Sequence, residues 1–283
     1  MPALELVTSG YRTVEGLTVD TDHSLYFTDI NNGGVRKIDP RGAVELVVPK
    51  RKGVGGTALH ADGGVVVAGR DISHIKDGRT RIIFGPEHYA ANGLPPDVNS
   101  FNDIHADDQG RLFAGCIRVI DGKRAEGEDT LVMITAEGRC KVLYGECRGT
   151  NGMALNWKTR RLYHAASRER AIIVSEQVGE HDYRVVDRLS TEAVEGTPDG
   201  LCLDEEGCVW AAFYKGGCAA RFSAAGELLE TIALDADEVT NVCFDGNTLY
   251  ISTGDNTADP QLGGGIWKTS SPLQGHAVGV VTI

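Results

Sequence analysis

The sequence predicts an all-β fold, a six-bladed β-propeller with four antiparallel strands per blade and a ring closed by the N-terminal strand. Three observations carry this. One phrase recurs six times: a polar or glycine starter, a short alternating run, a turn, and a second β-type run. Its starters, Glu15, Gly55, Asn102, Asn151, Asp199 and Thr240, are spaced by 40, 47, 49, 48 and 41 residues, the length of a propeller blade. The chain holds 36 glycines in 283 residues without a collagen period, which fits many tight turns and not long helices.

The inner hairpins read EGLTVDTDHSLYFTD from Glu15, GGTALHADGGVVVAG from Gly55 and NDIHADDQGRLFAG from Asn102. They continue as NGMALNWKTRRLYHAAS from Asn151, DGLCLDEEGCVWAAF from Asp199 and TNVCFDGNTLYIST from Thr240. Outer hairpins follow the same plan, with period-2 alternation on both sides of a turn. They are VRKIDPRGAVELVV (35–48), TLVMITAEGRCKVLY (130–144) and CAARFSAAGELLETIAL (218–234). A propeller has to close its ring or leave raw edges. ALELVTS (3–9) has no partner in its own unit and is expected to pair into the last blade, beside TLYIST, GGIWKTS and the C-terminal AVGVVTI (277–283). Residues 85–100 fit no strand and read as a lid, a binding loop or an ordinary surface excursion. All 283 residues are expected to form one propeller domain.

Composition narrows the function. Forty acidic against 28 basic residues give a formal charge of −12, which disfavours a phosphate backbone as partner. The basic runs Lys50-Arg51-Lys52 and Arg168-Glu169-Arg170 are short, as in solvated loops. No apolar run reaches the ~20 residues of a membrane span, and the opening MPALELVTSG has no signal-peptide pattern. The expected setting is cytoplasmic, with a small-molecule substrate and neither nucleic acid nor membrane as partner. Seven cysteines without a C-x-x-C pair read as reduced, buried thiols.

Equivalent positions at the start of each innermost strand converge on a propeller's central channel. Five of the six starters carry side-chain oxygen and none carries sulfur or imidazole. Two carboxylates with neutral amides suit a hard divalent cation. Calcium fits best, because side chains from separate blades tolerate irregular geometry; Mn²⁺, Mg²⁺ and Zn²⁺ are the alternatives, although zinc would call for His or Cys. The alternative is a polar channel whose starters only bind its walls and ordered water. Against it stands the inequality of the starters, since a structural cap would be similar in every blade.

Other motifs read as structure. Gly53-Val54-Gly55-Gly56-Thr57-Ala58 mimics a dinucleotide loop, but a turn and a strand follow it where a helix is required. Asp20-x-Asp22-x-Ser24 opens like a calcium loop, yet Leu25 and Asn31 stand where its glycine and glutamate belong. No G-x-S-x-G elbow occurs. His105 reads as a packed, hydrogen-bonded strand residue, with a base near the channel as the alternative.

Glu15-Gly16, Phe101-Asn102-Asp103, Asn151-Gly152 followed by Trp157, and Pro198-Asp199-Gly200 resemble the regucalcin/gluconolactonase family, as does GCVWAAFYKGGCAARFSAAGELLETIAL. The resemblance runs in order along nearly the whole chain. It implies a six-bladed propeller with a divalent metal in the channel and, in many members, sugar-lactone hydrolysis. It also implies metal ligands at Glu15, Asn151 and Asp199, with Asp199 moving the proton and Asn102 on the substrate side. The departures are equally specific. Ser100 occupies the place of the family's arginine, Ile120 that of a glutamate used against sugar hydroxyls, and Ala166 that of an aspartate. The polyhydroxyl-reading wall thus looks stripped, and a lactone less polar than an aldonolactone, or differently shaped, is expected. Asp103, Ser100 and Arg118 complete the expected substrate side, Arg118 as a receiver for an anionic group or as a plain surface arginine.

The expected activity is metal-dependent hydrolysis of a lactone or ester, with Asp199, or else Asp103, accepting the proton. A metal-dependent isomerase, lyase or phosphotriesterase-like hydrolase and a non-catalytic calcium-binding scaffold are the competing readings.

Overall fold

Six blades of four antiparallel strands follow one another around a central channel, the second blade carrying a fifth, short parallel strand. The computed structural model describes residues 3–49, 51, 53–95, 97–255 and 259–283; Lys50, Lys52 and Pro96 thus lie outside the described residues. Blade 1 comprises Val14–Val19, Leu25–Asp29, Val35–Ile38 and Val44–Val48, from the axis outward. Blade 2 runs from Thr57–His60 to Arg79–Phe84, and blade 3 from Ser100–Ala106 to Cys140–Cys147. Blade 4 runs from Thr150–Asn156 to Tyr183–Ser190 and blade 5 from Thr197–Leu203 to Leu228–Ala233. Blade 6 contains Val239–Asp245, Thr248–Thr253 and Gly264–Ser270, with Glu5–Tyr11 as its outermost strand. The N-terminal strand therefore closes the ring, in the expected place.

Apolar residues fill the gaps between neighbouring blades. Tyr26, Val35 and Val48 of blade 1 meet Leu59, Val65 and Val67 of blade 2. Phe101, Ile104 and Leu112 of blade 3 meet Ala58, Val66 and Ile72. Each remaining junction has such a layer, including Val14 and Phe27 of blade 1 against Cys243 and Ile266 of blade 6. Every middle strand is thus buried on both faces, and burying each large apolar side chain contributes about 1.5–3 kcal/mol. The outermost strands face water, as the exposed Val44, Leu46, Leu228 and Leu229 show.

Two expectations are corrected. The C-terminal run does not extend the last blade. Residues 275–283 cross the opening at the far end of the channel: His276 N–H donates to Leu203 O on blade 5, and Val280–Val281 pairs in parallel with Leu59 and His60 on blade 2. Residues 85–100 are not a free loop. A helical turn, Pro86–Tyr89, continues into a 3₁₀ turn, Ala90–Asn92, and Tyr89, Leu94 and Val98 seal the core between blades 2 and 3. A buried apolar anchor held them down where periodicity gave no signal. No helix among the described residues is long and apolar enough to cross a membrane, and all seven cysteines are free.

Candidate active site

The starters gather because the innermost strands bulge there. In blades 1, 3, 4, 5 and 6 the pairing register slips by one residue beside the starter, between Glu15 and Thr18, Phe101 and Ile104, Thr150 and Met153, Pro198 and Leu201, and Val239 and Asn241. A bulge bends the strand and re-aims its side chains, so Glu15, Asn102, Asn151, Asp199 and Thr240 all escape normal alternation at the same height. Glycines let the strands come together. A Cβ on Gly16 would lie 2.4 Å from Gly55 O, and one on Gly152 would lie 2.5 Å from Leu201 N. Thr240 Oγ1 donates to Val14 O at 2.5 Å and joins the sixth starter to the first blade.

Side-chain contacts link the neighbours. Asn102 Nδ2 donates to Asn151 Oδ1 at 3.1 Å and to Thr150 O at 3.0 Å. Asn151 Nδ2 reaches Ser167 Oγ at 3.2 Å, which in turn donates to Pro198 O at 2.6 Å, next to Asp199. Asp103 and Asp199 are buried. Burial, followed by the charges of Asp199 and Asp103, pushes the Glu15 carboxyl well above the usual range. Asp199 is raised by burial and then by Asp103, against the pull of Arg124 and Asn151. Burial takes Asp103 up to about 7. Packed carboxylates of this kind repel one another and favour protons or a cation between them.

The donor set fits such a cation. Oδ1 of Asp199 is buried with no hydrogen-bond partner, a costly condition unless something else satisfies it. Glu15, Asn151 and Asp199 offer oxygen only, as a hard ion requires. No group of three or more His, Cys, Asp or Glu residues among the described ones could hold a metal ion; the oxygens gathered here include the amide of Asn151.

Two expected substrate residues stand apart. Ser100 Oγ is spent on Gly69 O at 3.0 Å. Arg118 pairs with Asp97 at 2.7 Å and donates to Glu126 O, which fixes it as a rim arginine. Asn102, expected on the substrate side, has its amide nitrogen engaged with Asn151 and Thr150. His105 is half-buried at the channel, and its Nε2 has no partner, contrary to the hydrogen-bonded expectation. Below the starters the channel holds a cavity of about 370 Å³, lined by Leu17, Ile104, Met153 and Leu201 and closed by 275–280.

Three residues escaped the sequence reading. Arg124, on the hairpin Val119–Ile120 and Lys123–Arg124, bonds Asp129 at 2.6 Å and Thr150 O at 3.0 Å. Glu238 accepts the Tyr214 hydroxyl at 2.6 Å. Both charges act on Glu15 and Asp199. DGKRAEGED and DADEV look like solvated turns, and no spacing rule distinguishes them.

Comparison with known proteins agrees with this architecture. The family model described as SMP-30/Gluconolactonase/LRE-like region matches residues 13–255. A 6-deoxy-6-sulfogluconolactonase of Pseudomonas putida is 30% identical over 266 residues, 89% of each chain. The pentonolactonase XacC of Haloferax volcanii is 26% identical, over 94% of this chain and 89% of its own. Among solved structures, a luciferin-regenerating enzyme superposes with a TM-score of 0.85 at 23% identity over the full length of both chains. A propeller with bulged oxygen-bearing starters, matched by the family model over most of its length, belongs to the SMP-30/gluconolactonase family.

Proposed function

We propose that the protein is a metal-dependent lactonase whose metal ligands are Glu15, Asn151 and Asp199. The observation that carries this reading is the buried, unpartnered Oδ1 of Asp199 amid carboxylates raised first by burial and then by one another's charge. The lactonase names of the two relatives support the reaction class. A bound divalent cation, calcium on the chemistry of the donors, would supply Lewis-acid polarisation of the lactone carbonyl and a more acidic water.

The chain's own residues do the rest. Asn102 fixes Asn151 by its amide hydrogen bond, so the ring of oxygens is preorganised. Asp199 takes the proton of the attacking water, and the ring C–O bond breaks as that proton passes to the departing oxygen, leaving the open hydroxy acid. Asp103, buried beside it and held near neutrality, is the second acceptor. The apolar floor of Leu17, Ile104, Met153 and Leu201 keeps bulk water from below.

The sequence alone suggested a lactone less polar than an aldonolactone, because Ser100, Ile120 and Ala166 lack the family's polar groups. Both relatives are named for sugar-acid lactones.

The test is Asp199→Ala assayed on a lactone panel with EDTA and with added Ca²⁺, Mn²⁺, Mg²⁺ or Zn²⁺. We expect wild-type turnover to vanish with EDTA and return with metal, and the variant to fall by at least roughly 10³-fold. Calcium should also raise the melting temperature of the wild type but not of the variant. Substantial activity in Asp199→Ala, or turnover indifferent to EDTA, rejects the assignment.

A further inference from the structure

The residues missing at 100 and 120 have counterparts supplied by other parts of the chain. Arg124 and Asn102 donate to the same carbonyl, Thr150 O, each at 3.0 Å, so the guanidinium stands beside the amide next to Ser100. Its anchor is firm: Asp129 is buried and also accepts the Gly149 and Thr150 amides at 2.8 and 3.0 Å. One Nη of Arg124 is spent on these contacts, while Nε is buried without a partner. Donors of the fork therefore remain for a ligand.

Glu238 belongs to blade 6, across the ring from Arg124, and its charge acts on the same Glu15 and Asp199. It precedes the blade-6 innermost strand, two residues before Thr240, whose hydroxyl binds Val14 O beside Glu15. Tyr214, at the end of a blade-5 strand, bridges to Glu238 through the backbone and donates its hydroxyl to Oε1. Oε2 lies over Gly254, where a Cβ would come within 2.4 Å of it. No cation among the described residues pairs with Glu238, and the carboxylate is only half-buried. One oxygen is thus fixed by Tyr214, and for the other no hydrogen bond from a described residue is found.

A fixed carboxylate and a partly unengaged guanidinium, on opposite sides of a carbonyl-polarising site, are acceptor and donors for vicinal hydroxyls. We propose that Glu238 and Arg124 read the hydroxyl groups of a polyhydroxylated sugar lactone, with Tyr214 as the positioning residue for Glu238. The hydroxyl-reading wall is moved to blades 3, 5 and 6, not lost. The proposal rests on the lactonase reading above and corrects the less polar substrate that Ser100 and Ile120 suggested.

The experiment compares glucono-1,5-lactone with the hydroxyl-free δ-valerolactone in calcium-loaded wild type, Glu238→Gln, Tyr214→Phe and Arg124→Lys. A lost hydrogen bond between a charged group and a substrate hydroxyl costs roughly 10- to 100-fold in selectivity. Glu238→Gln and Arg124→Lys should raise KM for gluconolactone by about that factor, with kcat held within roughly threefold. Preference over δ-valerolactone should fall in parallel. Tyr214→Phe should move KM the same way by less. Equal losses on both lactones, or no change in KM, would overturn the proposal. If the wild type hydrolyses neither lactone with any metal, the lactonase reading fails separately. Calorimetric titration of 1,5-anhydroglucitol then decides: binding weakened by Glu238→Gln keeps the polyol site, and absent or unaltered binding removes it.

Discussion

His164 is held between Tyr144, whose hydroxyl lies 2.9 Å from Nδ1, and Thr150, whose Oγ1 lies 2.6 Å from Nε2. It is buried, and that burial, helped by the positive charges of Arg124 and Arg188, lowers its pKa to about 3. The unfolded chain binds a proton near pH 6.5, so this site's stability is intact above that pH and drains away as pH falls toward 3. The carboxylates Glu15 and Asp199 work with the opposite sign, because their folded pKa values are raised. Comparison with His164→Gln cancels their contribution. From pH 7 to pH 5 the wild type should lose about 2 kcal/mol more in urea denaturation than the variant. An equal pH slope in the two proteins would mean that His164 titrates normally.

At the scale of the element, the bulged innermost strand makes the site. A regular strand would send alternate residues to opposite faces; the extra residue in five of the six blades re-aims the starter side chain. This demands close strand approach, and Gly152 permits it, with Leu201 N, Asp199 O and Gly200 Cα all within 2.6 Å of a Cβ placed there. Every one of these atoms is backbone, so Gly152→Ala has to spread blades 4 and 5. It should cost about 1–3 kcal/mol and weaken calcium stabilisation. Gly145→Ala, where a Cβ would meet nothing within 4 Å, should change stability by less than about 0.5 kcal/mol. Differential scanning calorimetry with and without calcium separates the two variants.

At the scale of the molecule, the two termini do different jobs. The N-terminal strand completes blade 6, and the C-terminal segment bars the channel. Val281 is buried among blade 2 and 3 residues, and the Thr282 amide donates to Gly110 O. His60 Nε2 meets Ile283 O at 3.0 Å. Ending the chain after Val278 should cost at least about 2 kcal/mol from Val281 alone and open the lower mouth. Cys202 and Cys243 line that cavity, so their modification by a thiol reagent should quicken while kcat at the far end is kept. Unchanged labelling would show that the segment is no barrier.

The repeat, the hairpins and the closing N-terminal strand were written in the sequence, because alternation and turn residues are local signals and each blade repeats them. Glu15, Asn102, Asn151 and Asp199 were legible for the same reason: a position shared by six units stands out by comparison among them. Arg124, Tyr214 and Glu238 belong to no repeat, and their partners lie in other strands or other blades. Nothing in DGKRAEGED or DADEV records that a guanidinium and a carboxylate will face one channel. The crossing of residues 275–283 was hidden likewise, since a short apolar strand names its face but not the edge it will pair with. Local chemistry set the ring and its oxygens; only the closing of the ring decided which unrelated side chains would stand around them.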